Sequence, residues 1–167
     1  MRLFIAIELS DSVADALVRI QGDMYDRGVR GRFTPEENLH LTLAVIGEYP
    51  DPEAVLLALP EFEPFPLALE GVGRFGDVWW AGLRPSPALD ALARRVRRGL
   101  AGAGIPFDRK RFSPHVTLIR GASGPMPAIP PRSAAMTVSA ITLMRSDRGK
   151  RGMIYTALGG VGAAPWP

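Results

Sequence analysis

Asn38-Leu39-His40-Leu41-Thr42-Leu43 and Ser113-Pro114-His115-Val116-Thr117-Leu118 are the two stretches on which the reading of this chain turns. They hold both of its histidines, 75 positions apart, and each histidine has Thr two residues on and Leu three residues on. Sliding the chain by the same 75 positions aligns more of it without a gap. Leu3 to Leu9 falls on Val78 to Arg84, with Phe4 on Trp79 and Ala6 on Ala81. Asp15-Ala16-Leu17 falls on Asp90-Ala91-Leu92, and Arg19 on Arg94.

Each copy reads as strand, helix, strand. An apolar run of strand length, Leu3 to Leu9 or Val78 to Leu83, leads to a helix-start signal, Ser10-Asp11 or Pro85-Ser86-Pro87. Val13, Leu17 and Ile20 are spaced for one helix face, as are Leu89, Leu92, Val96 and Leu100. Gly28 to Arg32 and Gly102 to Lys110 mark the helix ends, and the histidine strand follows. Between the copies the pattern predicts a turn at Gly47 to Pro52, a short helix at Glu53 to Leu59 and a strand at Phe65 to Val72. After them it predicts an exposed loop over Gly121 to Pro131 and two β-rich stretches, Ala134 to Met144 and Met153 to Leu158. The basic turn Arg148-Gly149-Lys150 joins these two, and Gly159 to Pro167 shows no regular pattern. The expected fold is α+β: two lobes related by a pseudo-twofold axis, antiparallel sheets flanked by helices, and a groove between them. Residues 1–167 read as one domain with an internal repeat over about 1–47 and 76–122.

The 167 residues are enough for a hydrophobic core, and 47% apolar content excludes a disordered chain. No cysteine is present, which excludes disulfides, thiolate catalysis and cysteine zinc sites, and fits a reducing compartment. Glu8, Ser10 and Asp11 break the short apolar start, so no signal peptide is read there, and no stretch has the length of a membrane span. The expectation is a cytoplasmic monomer. A net charge of +3 is a mild tilt, but the cations are bunched at Arg94 to Arg98, at Arg109-Lys110-Arg111, and at Arg145, Arg148, Lys150 and Arg151. Any one bunch reads first as a solvated face; together they are compatible with a polyanionic substrate.

In a strand, residues two apart share a face. His40 and Thr42 therefore stand on one side with Leu39, Leu41 and Leu43 on the other; His115 and Thr117 do likewise over Val116 and Leu118. Pro114 biases Ser113 to an extended backbone just before His115. A lone histidine in an apolar strand is more often a packed or surface residue than a catalyst. Two in the same words are a different matter: a twofold repeat brings two imidazoles and two hydroxyls around one small volume. Phosphodiester hydrolysis uses that set, one imidazole taking a proton from water, the other protonating the leaving oxygen, and neutral donors holding the phosphoryl oxygens. No metal ligand spacing is evident, so neither a metal nor another cofactor is expected.

The paired His-x-Thr motifs resemble those of the 2H phosphoesterases. Arg2-Leu3-Phe4-Ile5-Ala6-Ile7, Pro35 to Leu43, Ile46-Gly47-Glu48 and Phe112 to Arg120 are similar to the bacterial and archaeal RNA 2′,3′-cyclic phosphodiesterases, also called 2′-5′ RNA ligases. That resemblance implies metal-independent opening of RNA 2′,3′-cyclic phosphate ends, tRNA fragments among them, to 2′-phosphates, with 2′-5′ ligation as the reverse reaction. It implies His40 as proton donor, His115 as proton acceptor, Thr42 and Thr117 on the phosphate, and Arg120 beside them. Phe4, Trp79 and Trp80 are candidates to stack on a base, against the commoner core reading of strand aromatics. The chain departs from the family at Phe33, where Trp is common, and at Ala44-Val45, where a basic-aromatic pair is common; these positions are expected on the nucleobase side of the groove. Two alternatives stay open: the same chemistry on another cyclic or 2′-5′ nucleotide, and a catalytically silent nucleotide- or RNA-binding module.

Overall fold

The computed structural model describes residues 1–163. β1 (Arg2–Glu8), α1 (Asp11–Asp26), the two-residue β2 (Arg32–Phe33) and β3 (His40–Glu48) come first, with a 3-10 turn at Glu36–Asn38. α2 (Pro52–Ala58), β4 (Phe65–Phe75), β5 (Val78–Leu83), α3 (Pro87–Gly102) and β6 (Val116–Arg120) follow. β7 (Ala135–Val138), β8 (Ala140–Gly149) and β9 (Gly152–Gly162) complete the described chain. The helices start as the sequence says they should. Ser10 accepts a hydrogen bond from the Val13 amide and Ser86 from the Leu89 amide, each cap stabilising its helix by about 1 kcal/mol. Pro87 sits in the first turn of α3, where its missing N–H has no role to lose.

The fold is α+β, with two antiparallel sheets ordered β3-β1-β8-β9 and β2-β6-β5-β4-β7. Strand–helix–strand runs twice: β1 pairs β3 around α1, and β5 pairs β6 around α3. Neither sheet is contiguous in sequence. The C-terminal strands β8 and β9 complete the first, and β2, from the N-terminal part of the chain, joins the second on the free edge of β6. Leu3, Ile5 and Ile7 of β1 and Leu41 and Leu43 of β3 are buried in one core with Leu17 and Met24 of α1. Trp79, Leu118 and the α3 residues Leu89, Val96 and Leu100 belong to the same core.

Several expectations shift. The β-rich stretch Ala134 to Met144 is two strands: β7 pairs with β4 in one sheet, and after Ser139 the chain crosses to pair with β1 in the other. β9 runs on through Gly159–Gly162, where no pattern was expected; Gly160 lies so close to the Ile141 carbonyl that a Cβ would not fit, which is why a side-chain pattern is missing there. Ala164–Pro167 lies outside the described residues. The Gly121 to Pro131 loop has no regular structure, yet it is pinned: the Ala122 amide donates to the Asp77 backbone carbonyl, and beyond it Arg132 grips Asp23 with two hydrogen bonds of 2.7 and 2.9 Å. Arg132 holds the Asp23 carboxyl below its ordinary range.

The lobes also clasp each other's motif strands. Opposite β1, β3 has an extra residue, Leu43, directly after Thr42; opposite β5, β6 has an extra residue, Leu118, directly after Thr117. The Leu118 carbonyl accepts from the Thr34 amide at 2.9 Å and from Gln21 Nε2 of α1 at 3.0 Å. The Leu43 carbonyl faces Arg97 Nε of α3 at 3.4 Å, and the neighbouring Val45 carbonyl accepts from the Asp108 amide at 2.8 Å. Gln21 is buried, and its amide also donates to the Thr34 carbonyl. Gln21→Leu should therefore destabilise the protein by about 1–3 kcal/mol, the cost of leaving buried carbonyls short of a donor. Urea unfolding checks this, with an unchanged midpoint as the contrary result.

Candidate active site

His40 opens β3 and His115 lies one residue before β6, so the second histidine stands at the mouth of its strand and not within it. Burial nonetheless alternates as the sequence predicts: Leu41 and Leu43 are buried while His40 and Thr42 are half-buried, and Val116 and Leu118 are buried while His115 and Thr117 are half-buried. The two imidazoles and two hydroxyls line one cleft of about 400 Å³, with Arg120 among its walls. Its floor and rim come from both lobes: Asn38, Val45 and Tyr155 on one side, Phe75, Lys110, Arg111 and Phe112 on the other.

Each histidine is held in the same way. His40 Nδ1 lies 2.7 Å from the Asn38 carbonyl and His115 Nδ1 lies 2.6 Å from the Ser113 carbonyl, both two residues back. A carbonyl only accepts, so each Nδ1 carries a hydrogen and donates it, which leaves Nε2 as the nitrogen that exchanges a proton. The sites then diverge. His40 Nε2 is 2.8 Å from Thr42 Oγ1, a hydrogen bond with no counterpart between His115 and Thr117. Burial pushes the His40 pKa below the ordinary histidine value; the Asn38 carbonyl opposes that, and the charges of Arg120 and His115 add to it. Arg120 lines the same cleft as His40.

Aromatic rings frame both imidazoles. Phe4 and Tyr155 have ring centres 5.0 and 5.3 Å from that of His40; Phe75 and Trp80 stand 5.2 and 6.3 Å from that of His115. Phe4 is only 8% exposed, and its ring also meets that of Tyr155 at 5.1 Å. Trp79 is wholly buried in the core, whereas Trp80 points to the cleft side over Gly73, where a Cβ would collide with the indole. Phe75, 47% exposed, is the ring most open to a ligand. Ala44 and Val45 line the cleft as expected, but Phe33 does not: its ring packs edge-on against Tyr25, because β2 places it on the outer edge of β6.

Tyr155 and Phe75 carry no local signal; each reaches the cleft only through sheet pairing. Asn38 could have been found, since it stands two residues before His40 in the quoted stretch; it is a buried amide, 8% exposed. Its side chain donates to the Met153 carbonyl at 2.9 Å, which ties β9, and with it Tyr155, to the backbone that holds His40. Arg97 also bonds the Lys110 carbonyl at 2.6 Å, fixing the basic loop at the rim. Among the described residues no group of three or more His, Cys, Asp or Glu could hold a metal ion, and no helix is long and apolar enough to cross a membrane.

The fold and this paired-motif cleft define a class. The chain belongs to the 2′-5′ RNA ligase superfamily, whose family profile matches residues 9–150. It is 35% identical to the RNA 2′,3′-cyclic phosphodiesterase of Thermus thermophilus, covering 95% of this chain and 88% of that one. The Escherichia coli protein of the same name is 32% identical over 94% and 93%. A third so named, from Geobacillus stearothermophilus, is 31% identical, and the chain spans about half its length, 52%. The crystal structure of E. coli LigT in apo form matches with a TM-score of 0.87, 30% identity and 98% coverage of both chains; that of LigT complexed with 3′-AMP matches with a TM-score of 0.88.

With two histidines in the chain, ring nuclei can be read without crowding. NMR should give both as the Nδ1–H tautomer when neutral, with His40 titrating below the ordinary value near 6.5. A His40 that titrates above that value, or an Nε2–H tautomer, contradicts the geometry.

Proposed function

We propose that the chain works as one unit that hydrolyses RNA 2′,3′-cyclic phosphodiester ends to 2′-phosphomonoesters, with His40 and His115 as acid and base. The single observation that carries this reading is the twin lock: two imidazoles in one cleft, each with Nδ1 committed to the carbonyl two residues back. The names of the relatives support the substrate, and the cleft supplies donors for a phosphate in Thr117 and Arg120, joined by Thr42 once a proton on His40 Nε2 frees its hydroxyl hydrogen.

In the proposed reaction His115 Nε2 takes a proton from water as the water oxygen bonds to phosphorus. The P–O3′ bond breaks, His40 Nε2–H gives its proton to O3′, and the phosphate stays on O2′. Threonine hydroxyls and the Arg120 guanidinium hold the non-bridging oxygens as charge builds on them. A 5′-hydroxyl in place of water would give a 2′-5′ linkage instead. The working form we propose is a cytoplasmic monomer, with tRNA fragments among its substrates.

The lowered pKa of His40 bears on its role as acid, because an acid must begin protonated. A bound phosphodiester anion works against that lowering: it attracts the proton at Nε2 and offsets the charge of Arg120. The donor is thus charged by the arrival of its substrate. The reversed assignment, with His40 as base, draws support from the same lowering.

The pH profile separates the two. The bell has two apparent pKa values that belong to the pair, kcat/KM reporting the free protein and kcat the complex. With His40 as acid, the alkaline limb of kcat lies above that of kcat/KM, and His40→Ala removes the alkaline limb. Loss of the acid limb in that variant would reverse the roles. His40→Ala and His115→Ala should each lower kcat by about 10²–10⁴-fold, and losses under tenfold in both would end the mechanism.

A further inference from the structure

The cleft is not the only hollow at His40. A second, of about 250 Å³, lies along the open face of the first sheet and shares His40, Thr42, Val45, Arg120 and Tyr155 with it. Its own walls are Arg2, Leu3, Phe4, Gly47 and Ser146. Sheet pairing orders that face into rows. Phe4 is opposite Met144; two residues along β1, Arg2 is opposite Ser146, which is itself opposite Tyr155. Two residues further along β8, Arg148 is opposite Met153, and the hairpin turns at Lys150-Arg151. Each step of two residues is about 7 Å, so a strip runs from the His40 imidazole past Phe4 to Arg2 and then to the basic tip.

The charge along the strip is left unanswered. Among the described residues Arg2, Arg120, Arg148, Lys150 and Arg151 make no ion pair. Glu48, opposite Arg2, is engaged by the N-terminal ammonium at 3.2 Å; Asp147, at the hairpin, is engaged by Arg145 at 2.8 Å. Glu8, at the other end of β1, accepts from Thr142. Free guanidinium groups spaced along an open strand face match a polyanion with regularly spaced charges better than a single phosphate.

We infer that this second hollow is a track for the RNA strand on the 5′ side of the reacting end, Arg2 and Arg148 contacting successive backbone phosphates. The inference rests on the proposed reaction only for its polarity: a nucleotide with a 2′,3′-cyclic phosphate continues into more RNA only through its 5′ oxygen. The substrate class that follows is the end of an oligoribonucleotide, in preference to a mononucleoside cyclic phosphate.

Binding tests the track without depending on turnover. A trinucleotide ending in a 2′-phosphate and the matching nucleoside 2′-phosphate are titrated into wild type, Arg2→Gln and the Arg2→Gln/Arg148→Gln double variant at several salt concentrations. Wild type should prefer the trinucleotide; Arg2→Gln should weaken it by about threefold to fivefold, the upper range for an exposed ion pair. The double variant should lower the salt slope for the trinucleotide by about 0.7 per arginine and narrow its preference. Equal affinity of wild type for the two ligands, or a preference unchanged in the double variant, overturns the track. A wild type that prefers the trinucleotide through these arginines yet hydrolyses no cyclic phosphate keeps the track and removes the proposed reaction.

Discussion

β3 and β6 each have a free edge within their own half of the molecule, and each also carries the site. An open strand edge exposes carbonyls and amides that must find partners. Here the partners come from the opposite lobe. Gln21 of α1 and the Thr34 amide take the Leu118 carbonyl; Arg97 of α3 and the Asp108 amide take the carbonyls of Leu43 and Val45. Both contacts fall beside the extra residue that follows the motif threonine. The cleft is therefore fixed by the same bonds that join the lobes, and the spacing of the two imidazoles is a property of the whole fold.

That mutual clasp explains how a symmetric sequence gives an asymmetric site. The motifs share a backbone rule, Nδ1 to the carbonyl two residues back, and differ in what surrounds them. His40 begins a strand of the first sheet, packed between Phe4 and Tyr155 and bonded to Thr42. His115 sits in the irregular segment just before β6, beside the open ring of Phe75. Burial, and after it the charges of Arg120 and His115, depress the proton affinity of His40, against the pull of the Asn38 carbonyl.

Local signals made much of this legible. Period-two alternation placed His40 with Thr42 and His115 with Thr117, and the serines before α1 and α3 marked both helix starts. The repeat announced two similar halves. It could not announce that the C-terminal strands β8 and β9 complete the first sheet, because strand partners so distant in sequence leave no local trace. Tyr155 and Phe75 were hidden for the same reason. Ser139, where the chain leaves one sheet for the other, lies inside a continuous β-forming run. Phe33 was expected at the nucleobase side from resemblance, but the short β2 strap turns it toward Tyr25.

The central claim is that two imidazoles and their phosphate donors suffice for the chemistry and direct its outcome. The most direct test is a short RNA ending in a 2′,3′-cyclic phosphate, incubated with the protein in EDTA, the product end resolved as 2′- or 3′-phosphate. The account predicts turnover in EDTA and a 2′-phosphate end. Turnover that requires a metal ion, a 3′-phosphate product, or no hydrolysis of the cyclic end would contradict it.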